Sequence, residues 1–168
     1  PMTGDARLNL ATMDSSLVFI DTANGDVLAE HHLDPSLYQL SMRHLAVDAM
    51  GSVWFGCQYV GAETDQPPLI GRAGADFAPI LIADPPRSRA SLRNYVGAVS
   101  TTMDGNVIAG SAPRGGQIVF LDLSGNVLGS APLADGCGVA PLEGGRVIAS
   151  AGTGRLIAAG PASATQQL

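Results

Sequence analysis

Residues 97–131 read GAVSTTMDGNVIAGSAPRGGQIVFLDLSGNVLGSA. Four runs rich in β-branched and small residues stand out, at 98–101, 107–111, 117–121 and 127–131. Between them lie Met103-Asp104-Gly105-Asn106, Ala112-Pro113-Arg114-Gly115-Gly116 and Leu123-Ser124-Gly125-Asn126. Asp-Gly and Ser-Gly between such runs are hairpin signals, because glycine takes the positive φ of a tight turn without steric cost. Four strands joined by short turns within about forty residues make an up-and-down antiparallel sheet, the size of one propeller blade.

A single blade cannot bury both of its faces, so the pattern should repeat. It does. The inner turn recurs as Gly51-Ser52-Val53-Trp54-Phe55-Gly56, Gly105-Asn106-Val107-Ile108-Ala109-Gly110 and Gly145-Arg146-Val147-Ile148-Ala149-Ser150. The outer hairpin recurs as Leu17-Val18-Phe19-Ile20-Asp21 with Gly25-Asp26-Val27-Leu28, and as Ile118-Val119-Phe120-Leu121-Asp122 with Gly125-Asn126-Val127-Leu128. A weaker copy spans residues 68–82. With strands named A to D from the axis outward, the chain reads CD, ABCD, ABCD, ABC. The expected fold is all-β, a propeller of WD40- or YVTN-like four-stranded antiparallel blades. Residues 1–168 form one partial propeller domain. Its parts are an outer hairpin of a first blade in 1–35, a blade in 40–84, a blade in 94–132 and a partial last blade in 135–168, with residues 161–168 as the source of any final outer strand. One helical turn is expected near Pro35, and the best candidate for a longer helix, residues 88–93, is short.

Composition narrows the function. Hydrophobic residues make up 46% of the 168-residue chain and aromatics only 5%, with 21 glycines, as thin strands and many turns require. All nine basic residues are arginine, and the net charge of −6 argues against nucleic acid and anionic membrane surfaces as partners. No apolar run approaches the ~20 residues of a membrane span. No stretch reads as a leader peptide. Two cysteines, Cys57 and Cys137, define no disulfide scaffold, and both are read as buried structural thiols. No metal site is expected: CxxC and HxxxH spacings are absent, and His31-His32 reads as a solvated strand end. Walker, GxSxG and Rossmann glycine patterns are absent too, and no catalytic residue or cofactor is assigned.

The unusual residues gather at one end of the blades. Strand A starts carry Arg43-His44, Asn94-Tyr95 and Asp135-Gly136-Cys137. Strand B ends carry Cys57-Gln58-Tyr59, the Pro113-Arg114-Gly115-Gly116 loop and residues 150–155. In an up-and-down sheet these two sets lie at the same end, opposite the AB turn. If the blades surround an axis, they converge on one rim of the central channel. Arg43, His44, Gln58, Tyr59, Asn94, Tyr95, Arg114 and Asp135 are therefore the candidate ligand-binding residues. Each alone reads equally as a polar group satisfied by its neighbours. Together they would suit a small polar or anionic ligand.

Several blocks resemble the signatures of a known family. They are Leu40-Ser41-Met42-Arg43-His44-Leu45, Gly56-Cys57-Gln58-Tyr59, Asn94-Tyr95-Val96-Gly97, Pro113-Arg114-Gly115-Gly116 and Asp135-Gly136-Cys137-Gly138-Val139-Ala140, preceded by Leu8-Asn9-Leu10, Thr12-Met13 and Ser16-Leu17. In this order they are similar to the bacterial domain-of-unknown-function family 1513. The resemblance implies a seven-bladed propeller of which this chain is about the C-terminal half. It also implies export to the periplasm and genes beside imelysin-like iron-uptake proteins. No biochemical activity comes with it. A half ring exposes blade faces, so either self-association or a missing N-terminal half is expected to close it.

Two function classes follow. The first is a binding or scaffold propeller, with a polar rim for a small anionic ligand or for an iron-uptake protein. The alternative is a hydrolase- or lactonase-like enzyme with a metal at the axis, to which Asp135, Asn94 and His44 would contribute. A lesser reading is direct iron binding through Tyr59, Tyr95 and His44.

Overall fold

The structure, a computed structural model, describes residues 10–82, 91–161 and 163–167. Residues 88–90 of the candidate helix at 88–93 thus lie outside the described residues, while Ser91 and Leu92 are helical and a turn follows at Arg93 and Asn94. Among the described residues, fourteen strands form one two-stranded and three four-stranded antiparallel sheets, each with its strands in chain order. The first hairpin is β1 (Ser16–Ile20) with β2 (Val27–His32). The second blade holds β3 (Leu40–Val47), β4 (Val53–Tyr59), β5 (Ile70–Gly74) and β6 (Phe77–Leu81). The third holds β7 (Ala98–Thr101), β8 (Val107–Ala112), β9 (Gln117–Asp122) and β10 (Val127–Pro132). The fourth holds β11 (Gly136–Leu142), β12 (Arg146–Ala151), β13 (Leu156–Gly160) and β14 (Ser163–Gln167). This is the expected blade architecture. The last sheet is complete rather than partial, because tail residues that lack a strand's apolar alternation pair through their backbone with β13. Among the described residues helix is confined to short pieces such as the 3-10 turn Pro35–Leu37, started by Asp34 accepting from the Ser36 amide.

The turns fold as their chemistry demands. Gly25, Gly51, Gly105, Gly125 and Gly145 all have φ between +67° and +90°. Aspartates organise them. Asp48 accepts from the amides of Met50 and Ser52, and Asp122 from those of Ser124 and Asn126. Such side-chain-to-backbone bonds pre-form the bend that the hairpin needs.

Blade-on-blade packing forms the core. One cluster joins the first three units through Leu17, Trp54, Phe55, Ile70, Val96 and Ile108; a second joins the third and fourth through Phe120, Leu133, Val147 and Ile157. Strands β4, β8 and β9, sandwiched between neighbours, are buried along most of their length. The outward face of the fourth blade keeps a shallow apolar depression lined by Val139, Ile148 and Leu156. The inner strands stand side by side, β3 against β7 and β7 against β11.

One backbone feature ties the second and third blades together. The outer hydrogen-bonding edge of β4 pairs with β5 up to the bond from Cys57 N to Leu69 O. Beyond it, β4 changes partner. Val96 N donates to Cys57 O at 2.9 Å, Tyr59 N donates to Asn94 O at 3.0 Å, and Gln58 and Tyr95 form an antiparallel bridge. The segment entering the third blade thereby completes the end of the second.

Candidate functional site

At that junction the rim end opens into a cavity of about 260 Å³ lined by Tyr59, Val60, Gly61, Glu63, Arg93, Asn94 and Arg114. Three chain segments build it: the loop after β4, the segment leading into β7, and the loop after β8. Its walls are mostly polar and carry two guanidinium groups against one carboxylate.

Each side chain has a local reason for its place. Asn94 is 5% exposed and sits at φ +57°, beside Arg93 at φ +49°. Asparagine tolerates this left-handed backbone better than most residues; for arginine it costs of order 1 kcal/mol or more. The Asn94 Nδ2 donates to the carbonyls of Ala62 and Glu63, at 3.3 and 3.4 Å, and so pins the loop after β4. Its Oδ1 is buried without a hydrogen-bond partner, which costs about 1–3 kcal/mol. Arg114 lies over the face of Tyr95, with its guanidinium carbon 5.3 Å from the ring centroid. That cation–π contact orients the guanidinium while leaving its N–H donors available. Gly115 lets the loop close, since a Cβ there would run into the Ser91 carbonyl oxygen. Arg93 Nη2 and Glu63 Oε1 are 3.3 Å apart, both more than half exposed, which makes a weak pair. The Tyr59 hydroxyl donates to Asp65 at 2.7 Å, and this bond raises the pKa of the phenol above its ordinary 10.0.

The candidate residues divide into two groups. Tyr59, Asn94 and Arg114 line the cavity together, Tyr95 supports Arg114, and Gln58 enters through its backbone bridge. Arg43, His44 and Asp135 do not line it. Arg43 is the extra residue of a bulge in β3, exposed, with its Nε 3.5 Å from Ser41 Oγ. His44 is half-buried opposite Gly56 on β4. Asp135 stands at φ +54° before β11, and its carbonyl accepts from Gly152 N and Cys137 Sγ. Arg43, His44 and Asp135 thus stand apart from the residues that the cavity brings together. Two charged wall residues, Glu63 and Arg93, are not among the candidates. Arg93 closes a Pro/Arg-rich connection, where a lone arginine carries no spacing signal, and Glu63 sits at the tip of an acidic loop.

The cysteines are both free. Cys57 is buried as expected, and burial pushes its thiol pKa up to about 12. Cys137 is exposed, contrary to expectation, because it occupies a bulge in β11 like that of Arg43 in β3. Among the described residues no group of three or more His, Cys, Asp or Glu side chains is placed to hold a metal ion. A tyrosinate–iron centre finds little support here: the Tyr59 proton is engaged by Asp65 and the Tyr95 ring by Arg114.

A larger cavity, about 460 Å³, lies beside the first hairpin and is lined by residues such as Asp14, His32, Leu37 and Tyr38. It opens beside the two-stranded sheet of β1 and β2.

The blocks that build this rim are matched, over residues 1–167, by the family described as "Protein of unknown function (DUF1513)". The chain belongs to that family. No curated protein matches it. Among solved structures it is similar to virginiamycin B lyase from Staphylococcus aureus, at 13% identity and a TM-score of 0.67, over 92% of this chain and 48% of that one. It is also similar to the C-terminal WD40 domain of Sif2, at 14% identity and a TM-score of 0.63, over 92% of this chain and 41% of that one. A third likeness is a protein of unknown function from Bacteroides caccae, at 14% identity and a TM-score of 0.58, over 92% and 53%. At such identities the likeness shows the propeller fold alone. The chain spans about half the length of these structures. Among the described residues no helix is long and apolar enough to cross a membrane.

Proposed function

We propose that this member of the DUF1513 family is a binding propeller whose rim cavity between the second and third blades takes a small anionic ligand. The observation that carries this reading is Arg114. Its guanidinium is held in place by Tyr95 and, among the described residues, has no carboxylate within ion-pair distance. A positioned cation in a cavity with mostly polar walls is the kind of arrangement that fixes an anion's orientation. Titration calorimetry at low salt with inorganic phosphate and with succinate tests it. Binding of either that is lost in Arg114→Ala supports the reading; heats equal to dilution for both overturn it.

The reading extends to setting and partners. The family resemblance supports a periplasmic protein serving iron uptake, either by holding an anionic chelate or by docking an uptake protein. Completion of the ring, by further blades or by a second copy, belongs to the same proposal, and solution mass tests it. The enzyme reading, with a metal at the axis, would be favoured by stoichiometric metal in the purified protein.

A further inference from the structure

The cavity that carries the proposed function also limits which anion suits it, and the inference rests on that reading. Its wall holds two guanidiniums, those of Arg93 and Arg114, and one carboxylate, that of Glu63. The two cations are not equivalent. Arg114 is held over Tyr95 and is not ion-paired among the described residues. Arg93 is engaged by Glu63, through a single contact at 3.3 Å between side chains that are 58% and 75% exposed. A contact so long and so well solvated yields easily to a competing carboxylate. By contrast, the backbone that presents Arg93 is firmly placed: Tyr59 N bonds the next residue's carbonyl, and the Asn94 amide bonds the carbonyl of Glu63 itself. Arg93 and Glu63 therefore stay together in the wall whether or not their side chains are paired.

We infer that the cavity is built for a dicarboxylate, with one carboxylate on Arg114 and the other taking Arg93 from Glu63. Glu63 is then an internal competitor. It neutralises Arg93 in the empty cavity and swings to solvent when a dianion enters. A monocarboxylate satisfies Arg114 alone and gains nothing from Arg93. Opposite charges on bidentate partners provide the discrimination, since two guanidinium forks match two carboxylates. The built-in carboxylate keeps monoanions from occupying both sites.

The test compares succinate with butyrate, equal in carbon count, by titration calorimetry at low ionic strength. Wild-type protein should bind succinate at least tenfold more tightly. Arg93→Gln should remove the preference and bring succinate to the level of butyrate. Glu63→Gln, an exposed substitution that keeps the loop's backbone contacts, should tighten succinate several-fold. Equal affinities in the wild type, or succinate weakened by Glu63→Gln, overturn the dicarboxylate assignment while the anion-binding reading stands. If neither compound nor phosphate binds, both fall together.

Discussion

The amide of Ala49 donates to the carbonyl of Gly105 at 3.0 Å, joining the inner turns of the second and third blades. Gly105 has φ +70°, and a Cβ on it would lie 2.6 Å from Ala49 N. Gly105→Ala therefore meets two obstacles, a left-handed backbone and a collision with the neighbouring blade. It should destabilise the protein by about 2 kcal/mol or more, read as a lower urea midpoint. The same change at Gly25, where φ is +82° but nothing lies within 4 Å, should cost less.

Trp54 fills the core of the second blade and donates its indole N–H to Asp48 Oδ2 at 2.8 Å. Asp48 is 6% exposed and also holds the inner turn through Met50 and Ser52. Trp54→Phe keeps much of the apolar contact but leaves one carboxylate oxygen without its donor. The expected cost is about 1–3 kcal/mol, measurable by chemical denaturation. A loss below that range would mean water replaces the indole.

Thiol chemistry should separate the two cysteines. Cys57, buried with its pKa pushed up to about 12, stays protonated and unreachable. Cys137 is exposed on its bulge. A thiol-specific chromogenic disulfide should titrate one group in the native protein and two in denaturant, and Cys137→Ser should abolish the native reaction.

Acid sensitivity should trace in part to the turn aspartates. Asp122 has its pKa lowered below 3.8, first by the side-chain bond from Asn126 and then by backbone amides. A folded pKa below the unfolded one contributes stability that is present above the unfolded value and is lost as pH falls through the folded value. Asp122→Asn should thus lower the thermal midpoint at neutral pH, and the gap to wild type should close as pH falls below 3.8. His32 runs the other way. Its pKa is raised, chiefly by its bond to Asp14, so its contribution is present below 6.5 and lost as pH rises through the folded value.

How much of this could be read from the sequence depends on the range of the interaction. The strand at 98–101 and the turns at Gly105 and Gly125 were legible, because a positive φ and a pleat are written within a few residues. Strand β14 was legible only as a possibility, since edge pairing through the backbone needs no particular side chains. The cavity was half legible. Tyr59, Asn94 and Arg114 announced themselves as odd residues at strand ends. Arg93 did not, because its partner Glu63 lies thirty residues away and the pairing depends on how two loops meet. The exposure of Cys137 was hidden for a similar reason: a bulge shifts the register by one residue and reverses which side chains face out.

The change of partner along β4 has a mechanical consequence. Because the end of one blade is hydrogen-bonded into the entry of the next, neither can open at the rim without breaking the other's backbone ladder. The second and third blades then behave as one cooperative unit in hydrogen exchange, with the amides of Tyr59 and Val96 among the slow set. The walls bearing Asn94 and Arg114 are thus preorganised, and a ligand arriving there spends little of its interaction energy on ordering the protein.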